Sequence, residues 1–387
     1  MQYRTLGKTG LKVSALGFGC MRLPVIDGGS GNTGSDPNRP INEREAVEMF
    51  NYAIEQGINY FDTAYMYHGG QSEKLLGKSL GKKRKKIMLT TKLPARMVER
   101  PEDFEKFLGE QLGRLNTDYL DFYLCHGLRR QSWKKIREFG ILDFLDRIIS
   151  EGRARHVGFS FHDDTDTFKE IVDSYDWSLA QIQYNYFDEH YQAGREGLEY
   201  AHGKGLAVVI MEPLRGGKLT DTIPDSVRKI WDSIEGENTP AQWGLRWVWN
   251  HKGVSTVLSG MSNMSQLIEN VDTAGKSASI GSMTPDELDI IKRVKDRYQE
   301  LLQVNCTRCG YCMPCPNGVD IPMNFTAYND FFLFKNPERN IMLYNRLLSP
   351  EQKASNCLEC GECEEKCPQG IEIINELKKV DQKLGRN

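Results

Sequence analysis

Eight cysteines in the last quarter of the chain have the spacing that iron–sulfur chemistry requires. They form two sets, and each set has three cysteines at Cys-x-x-Cys intervals followed by a fourth cysteine that precedes a proline. The second set has the Cys-x2-Cys-x2-Cys-x3-Cys-Pro spacing of a 4Fe–4S site, and the first set is one residue shorter before its last cysteine. The candidate metal ligands are Cys306, Cys309, Cys312, Cys315, Cys357, Cys360, Cys363 and Cys367.

The fourth cysteine of each set is expected to bind the cluster that the other set holds. A tight loop can present three thiolates to one cluster, but a fourth from the same loop is usually out of reach. In two-cluster ferredoxins the fourth cysteine therefore ligates the other cluster. On this pattern Cys367 completes the cluster of the loop 306–312, and Cys315 completes the cluster of the loop 357–363.

Zinc and disulfides are the alternatives for these cysteines. A zinc site needs only four ligands, whereas two triplets that are each followed by Cys-Pro fit iron–sulfur ligation better. Disulfides are disfavoured because the chain opens with Met1-Gln2-Tyr3-Arg4 and no signal peptide, which predicts a reducing, cytoplasmic location. The two other cysteines, Cys20 and Cys125, lie in apolar runs and are expected to be buried in the core.

A second group of reactive residues follows short apolar runs. Five of these runs end in an ionisable or hydrogen-bonding residue: Asp62, Lys92, His126, Ser160 and Glu212. Tyr67 lies five residues after Asp62. Tyrosine has an ordinary pKa of about 10, and we expect a neighbouring Lys92 ammonium to lower it. Asp62 would keep Lys92 charged, and His126 would hydrogen-bond a carbonyl or share the proton, so the group predicts a proton-transfer site.

Eight strand-like runs, alternating with amphipathic helical stretches, position these residues. The runs are Ala15–Cys20, Asn59–Phe61, Ile87–Thr91, Leu120–Cys125, His156–Phe159, Leu179–Tyr184, Ala207–Met211 and Ser255–Leu258. Eight strand–helix units in about 250 residues predict an α/β fold, a (β/α)8 TIM barrel, whose active site lies at the carboxyl ends of the strands. A doubly wound sheet is the alternative, but no Gly-x-Gly-x-x-Gly turn follows the first strand.

The sequence also predicts a hairpin, a long loop and several helices that accompany the barrel strands. A hairpin of Tyr3–Leu6 and Leu11–Val13 precedes it, and the loop Asp27–Pro40 is expected to cover the catalytic face. The helical stretches include Glu43–Glu55, Pro101–Leu115, Ile141–Ser150, Arg195–His202 and Pro240–Asn250.

The chain is expected to have three parts. These are a barrel (1–275), a linker helix (276–304) and a small α+β ferredoxin-like domain with two 4Fe–4S clusters (305–387). The linker helix is expected to begin at Thr284-Pro285 and to reach about Val304, because a capping residue is followed by proline in the first turn.

Composition excludes several classes of partner. The 387 residues carry a net charge of only −3, so nothing indicates binding to nucleic acid or to a membrane surface. No apolar run approaches the length of a membrane span, and the protein is expected to be soluble.

The segment Gly57-Ile-Asn-Tyr-Phe-Asp62-Thr-Ala-Tyr-Met-Tyr67, followed by Ser72-Glu73 and Leu76-Gly77, resembles the signature of the aldo-keto reductases. The resemblance covers roughly residues 1–275, and the whole chain resembles the iron–sulfur branch of that family. It implies a catalytic tetrad of Asp62, Tyr67, Lys92 and His126. The implied reaction transfers a nicotinamide hydride to the carbon of an aldehyde or ketone while Tyr67 protonates the oxygen.

The resemblance also implies a nicotinamide-cofactor site that includes Asp62. The family's contacts with carboxamide, diphosphate and adenine match Ser160, Gln181, Leu214, Glu269 and Asn270.

Five other positions depart from the family pattern. Phe161 replaces an asparagine at the carboxamide, and Met211 replaces the aromatic residue that stacks on nicotinamide. Glu212 replaces a small polar residue near the diphosphate and would repel it unless Arg215 compensates. Gly260 and Gln266 stand where Lys and Arg often bind the 2′-phosphate of NADP. We therefore expect NADH to serve at least as well as NADPH.

Two functional hypotheses follow. The first is an NAD(P)H-dependent carbonyl reductase of small molecules whose clusters exchange electrons with a redox partner protein. A flavin could bridge hydride and one-electron chemistry, although the sequence carries no flavin motif. The second is a redox sensor or electron-transfer adaptor with a degenerate barrel.

Overall fold

The computed structural model of the chain describes residues 1–26, 40–234, 238–306, 308, 310–334, 337–367 and 369–385. The loop Asp27–Pro40 lies outside these residues except for Pro40, and so does the predicted ligand Cys309. Contacts divide the chain into two units. The first is Met1–Gly217 with Asn238–Pro285, and the second is Lys218–Glu237 with Asp286–Asn387.

The first unit is a closed barrel of eight parallel strands, as the strand count predicts. An antiparallel hairpin of β1 (Tyr3–Thr5) and β2 (Lys12–Ser14) precedes it. The barrel strands are β3 (Leu16–Gly19), β4 (Tyr60–Asp62), β5 (Met88–Leu93), β6 (Leu120–Leu128), β7 (Ala154–Phe161), β8 (Leu179–Gln183), β9 (Ala207–Met211) and β10 (Val254–Ser259). Each pairs with the next along the chain, and β10 closes on β3. The predicted strands agree to within three residues at each end.

Helices alternate with the strands of the first unit. They are α1 (Glu43–Glu55), α2 (Gln71–Leu80), α3 (Asp103–Leu115), α4 (Arg130–Glu138), α5 (Ile141–Ser150), α6 (Thr165–Asp173), α7 (Gly194–Gly203), α9 (Pro240–Trp249) and α10 (Met264–Ser277). The first helix shows why they form. The Asn42 side chain caps it by accepting from the Glu45 backbone N–H, and its buried face repeats every three or four residues.

Apolar residues fill the barrel from the hairpin end. Leu6 and Val13 of the hairpin are fully buried against Tyr60, Phe122 and other residues of the strand interiors. Burial of an aliphatic side chain of this kind contributes about 1.5–3 kcal/mol. The hairpin therefore plugs one end of the barrel, and the carboxyl ends of the strands remain for chemistry.

The second unit is built from helices and two cysteine loops. Its helices are α8 (Asp225–Asp232), α11 (Pro285–Glu300), α12 (Ile321–Leu333), α13 (Pro337–Leu347), α14 (Glu362–Glu365) and α15 (Ile373–Leu384). The linker helix α11 ends at Glu300, four residues before the predicted end. The core of this unit includes Phe325, Tyr328 and Tyr344 from the stretch between the two cysteine sets.

The secondary structure of this unit differs from the predicted α+β mixture because strands are missing from its described part. Its described residues form helices and turns, and none of them is in a strand. Residues with positive φ interrupt the cysteine loops at short intervals, at Arg308, Gly310, Glu359 and Gly361. Such dihedrals are incompatible with an extended strand. No helix in the described part of the chain is long and apolar enough to cross a membrane.

Candidate functional site

The barrel brings the four predicted catalytic residues together at the carboxyl ends of β4, β5 and β6. Lys92 Nζ donates to Asp62 Oδ1 at 2.5 Å and to the Thr63 carbonyl at 2.7 Å. The same ammonium lies 5.0 Å from the centre of the Tyr67 ring. The Tyr67 and His126 rings meet edge to face with centroids 5.9 Å apart. Tyr67 and His126 are partly exposed, whereas Asp62 and Lys92 are buried. The exposed pair can therefore meet a substrate.

A buried polar network behind β5 holds Lys92 in place. Glu73 is fully buried and accepts from Thr91 Oγ1 at 2.6 Å, Gln111 Nε2 at 2.8 Å and Arg114 Nη1 at 3.1 Å. Gln111 Nε2 also donates to the Lys92 carbonyl at 3.0 Å. The Glu73 of the signature segment therefore ties α2 and α3 to the strand that carries Lys92.

Gly77 of the same segment allows α2 to approach α3 closely. A Cβ at position 77 would lie 2.5 Å from the Arg114 carbonyl oxygen. Only glycine therefore permits this helix spacing, on which the Glu73 network depends.

The electrostatics keep the Tyr67 proton on the phenol. Burial raises the pKa of Tyr67 above its ordinary value, and the cations of Lys92 and Arg22 offset this only in part. Lys92 lowers the Tyr67 pKa as predicted, but the net shift is upward because desolvation of the phenolate is the larger effect. A protonated Tyr67 is a proton donor ready at neutral pH.

The remaining members of the tetrad have defined charges. Burial alone would lower the pKa of Lys92, but Asp62 and Tyr67 outweigh it and raise the pKa, so Lys92 stays an ammonium. Burial raises the pKa of Asp62 while Lys92 opposes the shift. Burial, then the charge of Lys92, holds the pKa of His126 well below its ordinary value. His126 is therefore a neutral imidazole, which can hydrogen-bond an oxygen without carrying charge.

The predicted carboxamide contacts lie on neighbouring strands. Ser160 on β7 is buried and accepts from the Gly127 backbone N–H at 2.7 Å. Gln181 on β8 is 2% exposed, and its Oε1 has no hydrogen-bond partner among the described residues. A buried amide oxygen without a partner suits the N–H2 of a nicotinamide carboxamide. Phe161 is buried in the core, where it packs edge-on against Phe168 of α6 with ring centroids 5.1 Å apart.

The diphosphate end has an unexpected ion pair. Met211 ends β9, and Glu212 follows it with a φ of +54°. Arg22 Nη2 donates to Glu212 Oε1 at 3.2 Å. Arg215, which was expected to compensate Glu212, places its Nε 3.0 Å from Asp188 Oδ2. Glu212 is therefore paired with a cation, Arg22, which comes from the loop after β3.

The remaining cofactor candidates lie on β10 and α10. The Gln266 Oε1 accepts from the Ser262 backbone N–H at 2.9 Å. Asn270 is buried and donates to Ser259 Oγ at 3.0 Å.

Leu214, Glu269 and Gly260 also have neighbours in the first unit. Leu214 packs against Gly244, Glu269 accepts from the Thr239 hydroxyl, and Gly260 lies against the stem of Arg22. The unpartnered Gln181 Oε1 suits a nicotinamide carboxamide. Neither Gly260 nor Gln266 carries a positive charge that could bind a 2′-phosphate.

The cysteines of the second unit line two cavities in the crossed pattern. Cys367 lines one cavity together with Cys306 and Cys312. The other cavity is lined by Cys312, Cys315, Cys357, Cys360 and Cys363. Each fourth cysteine thus lines the cavity of the other set. Among the described residues no three His, Cys, Asp or Glu side chains converge on a single-ion site. A 4Fe–4S cluster differs from a single ion in that its thiolates surround a bulky group, so cysteines arranged around a cavity fit it.

The described residues of the two cysteine loops have positive φ at two equivalent positions. Arg308 and Glu359 lie two residues after the first cysteine of each set, with φ of +60° and +57°. Gly310 and Gly361 lie four residues after it, with φ of +79° and +81°. Left-handed residues in such loops help to turn backbone N–H groups toward one concave side, as in many iron–sulfur sites. The repeat indicates two equivalent binding loops.

The search for reactive residues at the ends of strands did not include Arg22. Its position could have indicated it, since Met21-Arg22 follows the first barrel strand just as Lys92 lies at the end of the third. A barrel that groups an ammonium, a tyrosine and a neutral histidine at the carboxyl ends of its strands has the arrangement of an oxidoreductase site.

The chain belongs to the Aldo/keto reductase family, which matches residues 16–294, and a 4Fe-4S dicluster domain matches residues 305–372. It is an oxidoreductase of the aldo-keto reductase type. L-galactose dehydrogenase of Arabidopsis thaliana is 29% identical over 332 residues, which cover 78% of this chain and 96% of the relative. The uncharacterized oxidoreductase YqkF of Bacillus subtilis is 26% identical, with 71% and 91% covered. Among solved structures, the aldo-keto reductase AKR11C1 of Bacillus halodurans in its holo form is 26% identical with a TM-score of 0.62, covering 76% and 96%.

Proposed function

We propose that this protein is an NAD(P)H-dependent carbonyl reductase in which Asp62, Lys92, Tyr67 and His126 perform the acid–base chemistry. The observation that carries the proposal is the Lys92 ammonium, which contacts Asp62 at 2.5 Å and lies 5.0 Å from the Tyr67 ring. A barrel that bound a nucleotide without using it would have no need for a buried ammonium beside a tyrosine.

Each residue has one step to perform. Tyr67 donates its proton to the carbonyl oxygen as negative charge develops there. Lys92 then stabilises the phenolate that remains, because an ammonium nearby favours the charged form. Asp62 keeps the ammonium oriented and charged, and neutral His126 orients the carbonyl oxygen. A bound nicotinamide cofactor supplies the hydride.

The cofactor is proposed to lie along Ser160, Gln181, Met211, Glu212, Leu214, Gly260, Gln266, Glu269 and Asn270. Because Gly260 and Gln266 carry no positive charge that could bind a 2′-phosphate, NADH is expected to bind at least as well as NADPH.

The second unit is proposed to hold two 4Fe–4S clusters with exchanged fourth ligands. The clusters carry single electrons to a redox partner protein or to a flavin, and a reducing compartment such as the cytoplasm keeps the thiolates free to bind iron. Small carbonyl compounds are the proposed substrates. Because one relative is named L-galactose dehydrogenase, aldoses belong in the substrate panel.

The test is cofactor oxidation with an aldehyde, ketone and aldose panel under anaerobic conditions. Tyr67→Phe should lower carbonyl reduction by at least about 100-fold while NADH binding is unchanged, since it removes the acid alone. Tyr65→Phe is the matched control, because the Tyr65 hydroxyl faces Glu110. Full activity of Tyr67→Phe would show that another group gives the proton.

The clusters have a separate test. Their absorbance should change when substrate and cofactor are added together, and an unchanged spectrum during normal turnover would leave them a structural role.

A further inference from the structure

Arg96 and Arg129 follow the two strands that carry Lys92 and His126. Arg96 lies in a short helical turn that begins two residues after β5. Arg129 comes directly after β6, three residues beyond His126. Since β5 and β6 are parallel neighbours, their carboxyl ends lie at the same end of the barrel. The two arginines therefore lie at the end of the barrel where the acid–base residues are.

Contacts on both sides fix the stretch of chain that contains Arg129. Lys135 Nζ of α4 donates to the Arg96 carbonyl at 3.1 Å. On the other side, the His162 backbone N–H donates to the Leu128 carbonyl at 3.0 Å. The stretch 128–135 thus contacts the loop of Arg96 through one end and the loop after β7 through the other. These three neighbouring loops form one rim of the barrel mouth.

The two arginines lack carboxylate partners. Neither Arg96 nor Arg129 forms an ion pair with an Asp or Glu of the described residues. The next residue does, because Arg130 Nη2 lies 3.2 Å from Asp164 Oδ2, and this hydrogen bond raises the pKa of Arg130. The pKa of Arg96 shifts the other way, since desolvation and then the charge of Arg129 lower it. The surroundings of Arg96 therefore disfavour its positive charge, which an anion would stabilise.

The surroundings of His162 also show an excess of positive charge. Burial, then the charge of Arg129, lowers the pKa of His162 to about 4, and Arg96 lowers it further. The Glu212 carboxylate opposes this shift without reversing it, and it already accepts from Arg22 Nη2 at 3.2 Å. Positive charge therefore exceeds negative charge along the described part of this rim, and an anion brought there would be attracted.

The same charges reach the proton-transfer site. Burial and then the charge of Lys92 are the largest effects that lower the pKa of His126, and Arg96 also contributes. A charge that acts on His126 lies within electrostatic range of a carbonyl that His126 orients. A substrate of suitable length can therefore present its carbonyl to Tyr67 and an anionic group to Arg96 at the same time.

Arginine side chains suit this second contact. The guanidinium stays charged at neutral pH, and its planar pairs of N–H donors match the oxygens of a carboxylate or a phosphate. The side chains of Arg96 and Arg129 are both exposed, so an incoming anion can reach them from solvent.

We propose that Arg96 and Arg129 bind an anionic group of the substrate, so that the preferred substrates are aldehydes or ketones that carry a carboxylate or a phosphate. This inference depends on the proposed function, because it needs a carbonyl group at Tyr67. The reaction is the same: the nicotinamide hydride goes to the carbonyl carbon, the Tyr67 proton goes to its oxygen, and the anionic group keeps its charge. A carboxylate and a phosphate offer the same chemistry, and the substrates of the experiment distinguish them.

The experiment compares carbonyl compounds that differ in one anionic group, with NADH and the full-length protein. The pairs are 4-carboxybenzaldehyde and its methyl ester, succinic semialdehyde and its methyl ester, and glyceraldehyde 3-phosphate and glyceraldehyde. In at least one pair, kcat/KM of the wild type should be about 10-fold or more higher for the anionic member. Higher salt should reduce this ratio, because it screens exposed charges. The pair with the largest ratio identifies the anionic group.

Variants of the two arginines test whether they cause the preference. Arg96→Gln and Arg129→Gln should each lower the anionic-to-neutral ratio of kcat/KM about 10- to 100-fold, the range expected for lost hydrogen bonds between charged groups. The loss should appear chiefly in the KM of the anionic substrate, and Arg96→Lys should retain part of the ratio. Arg130→Gln is the matched control, because it removes a neighbouring charge that is already paired with Asp164. Circular dichroism shows that each variant is folded.

Four results would overturn this assignment. Three of them leave the proposed function intact: a wild-type ratio near one in every pair, a ratio that Arg96→Gln and Arg129→Gln do not change, and equal losses with anionic and neutral substrates, which would indicate a structural role. NADH affinity, measured by fluorescence titration, should be the same in the wild type and these variants, and a loss would instead assign the arginines to the cofactor. If the wild type reduced none of the compounds with NADH or NADPH, the proposed function would fail together with this inference.

Discussion

Lys92 Nζ and Asp62 Oδ1 are 2.5 Å apart in a site where the two side chains are only 1% and 3% exposed. A buried ion pair of this kind contributes little net stability, because the cost of removing both charges from water offsets their attraction. Its presence is better explained by what the ammonium does for Tyr67. Substitutions of the two residues should therefore affect catalytic activity and the free energy of unfolding differently.

Lys92→Met should leave Asp62 as a buried carboxylate without its cation and lower the free energy of unfolding by about 3–5 kcal/mol. The double variant Asp62→Asn/Lys92→Met should recover part of that loss, because no charge remains buried. Both should lose carbonyl reduction by at least about 100-fold. Urea unfolding and single-turnover hydride transfer measure the two effects. Substantial activity in the double variant would contradict the role given to the ammonium.

The pH dependence of reduction should follow the raised pKa of Tyr67. The protonated phenol is the active form, so the rate is lost as pH rises through the folded-state pKa, which lies above the ordinary value of 10.0. The rate constant for reduction should therefore be level from about pH 6.5 to 9.5. Stopped-flow single turnovers over this range provide the measurement. A fall centred near neutral pH would show that the phenol is not the acid.

His162 should make the first unit less stable as the pH falls. Burial, then the charge of Arg129, lowers the pKa of His162 to about 4. The unfolded chain binds this proton below the ordinary pKa of 6.5 and the folded protein does not, so stability declines from pH 6.5 down to about 4. His162→Gln should remove up to about 2 kcal/mol of the loss between pH 6.5 and 5. Tryptophan-monitored urea unfolding at both pH values tests this, with exposed His190→Gln as the control.

Cysteine substitutions should damage the clusters in the crossed sense. Cys315→Ala should destabilise the cluster held mainly by Cys357, Cys360 and Cys363, because Cys315 lines their cavity. Cys367→Ala should destabilise the cluster of Cys306 and Cys312. Iron content and electron paramagnetic resonance of the reduced proteins distinguish the two clusters. Cys20→Ala, a buried thiol of the barrel, is the control. Damage by Cys315→Ala that is limited to the 306–312 cluster would refute the exchange of ligands.

Most of the barrel could be predicted because its signals are local. Buried parallel strands read as short apolar runs, and each helix carries its own apolar face, as α1 does with Ala46, Met49, Phe50 and Ala53. The carboxyl ends of such strands must converge, so Asp62, Lys92 and His126 could be grouped from the sequence alone.

The features that escaped prediction are those that depend on distant parts of the chain. Arg22 and Glu212 are 190 positions apart, and nothing local to either residue indicates the pair. The direction of the Tyr67 pKa shift also escaped, because it depends on how much desolvation outweighs Lys92, and burial of a loop residue is set by tertiary packing. The order of the strands can be predicted from the sequence, whereas the balance of opposing electrostatic effects cannot.

The segment 218–237 was expected to belong to the barrel, since it lies between β9 and α9. Contacts group it with the second unit, where Lys218 contacts Asp330 and lies over the Phe334 ring. Its side chains Leu219, Ile223, Val227 and Trp231 are buried.

The assignment of the segment 218–237 to the second unit has a practical consequence for protein engineering. A stop codon after Pro285 would remove Asp286–Asn387 and leave the segment 218–237 without the rest of the unit to which it belongs. The truncated protein would expose apolar side chains and be prone to aggregate. A cluster-free version needs a short polar loop in place of 218–237 as well as the truncation, so the enzyme can be simplified only by two coordinated edits to its gene.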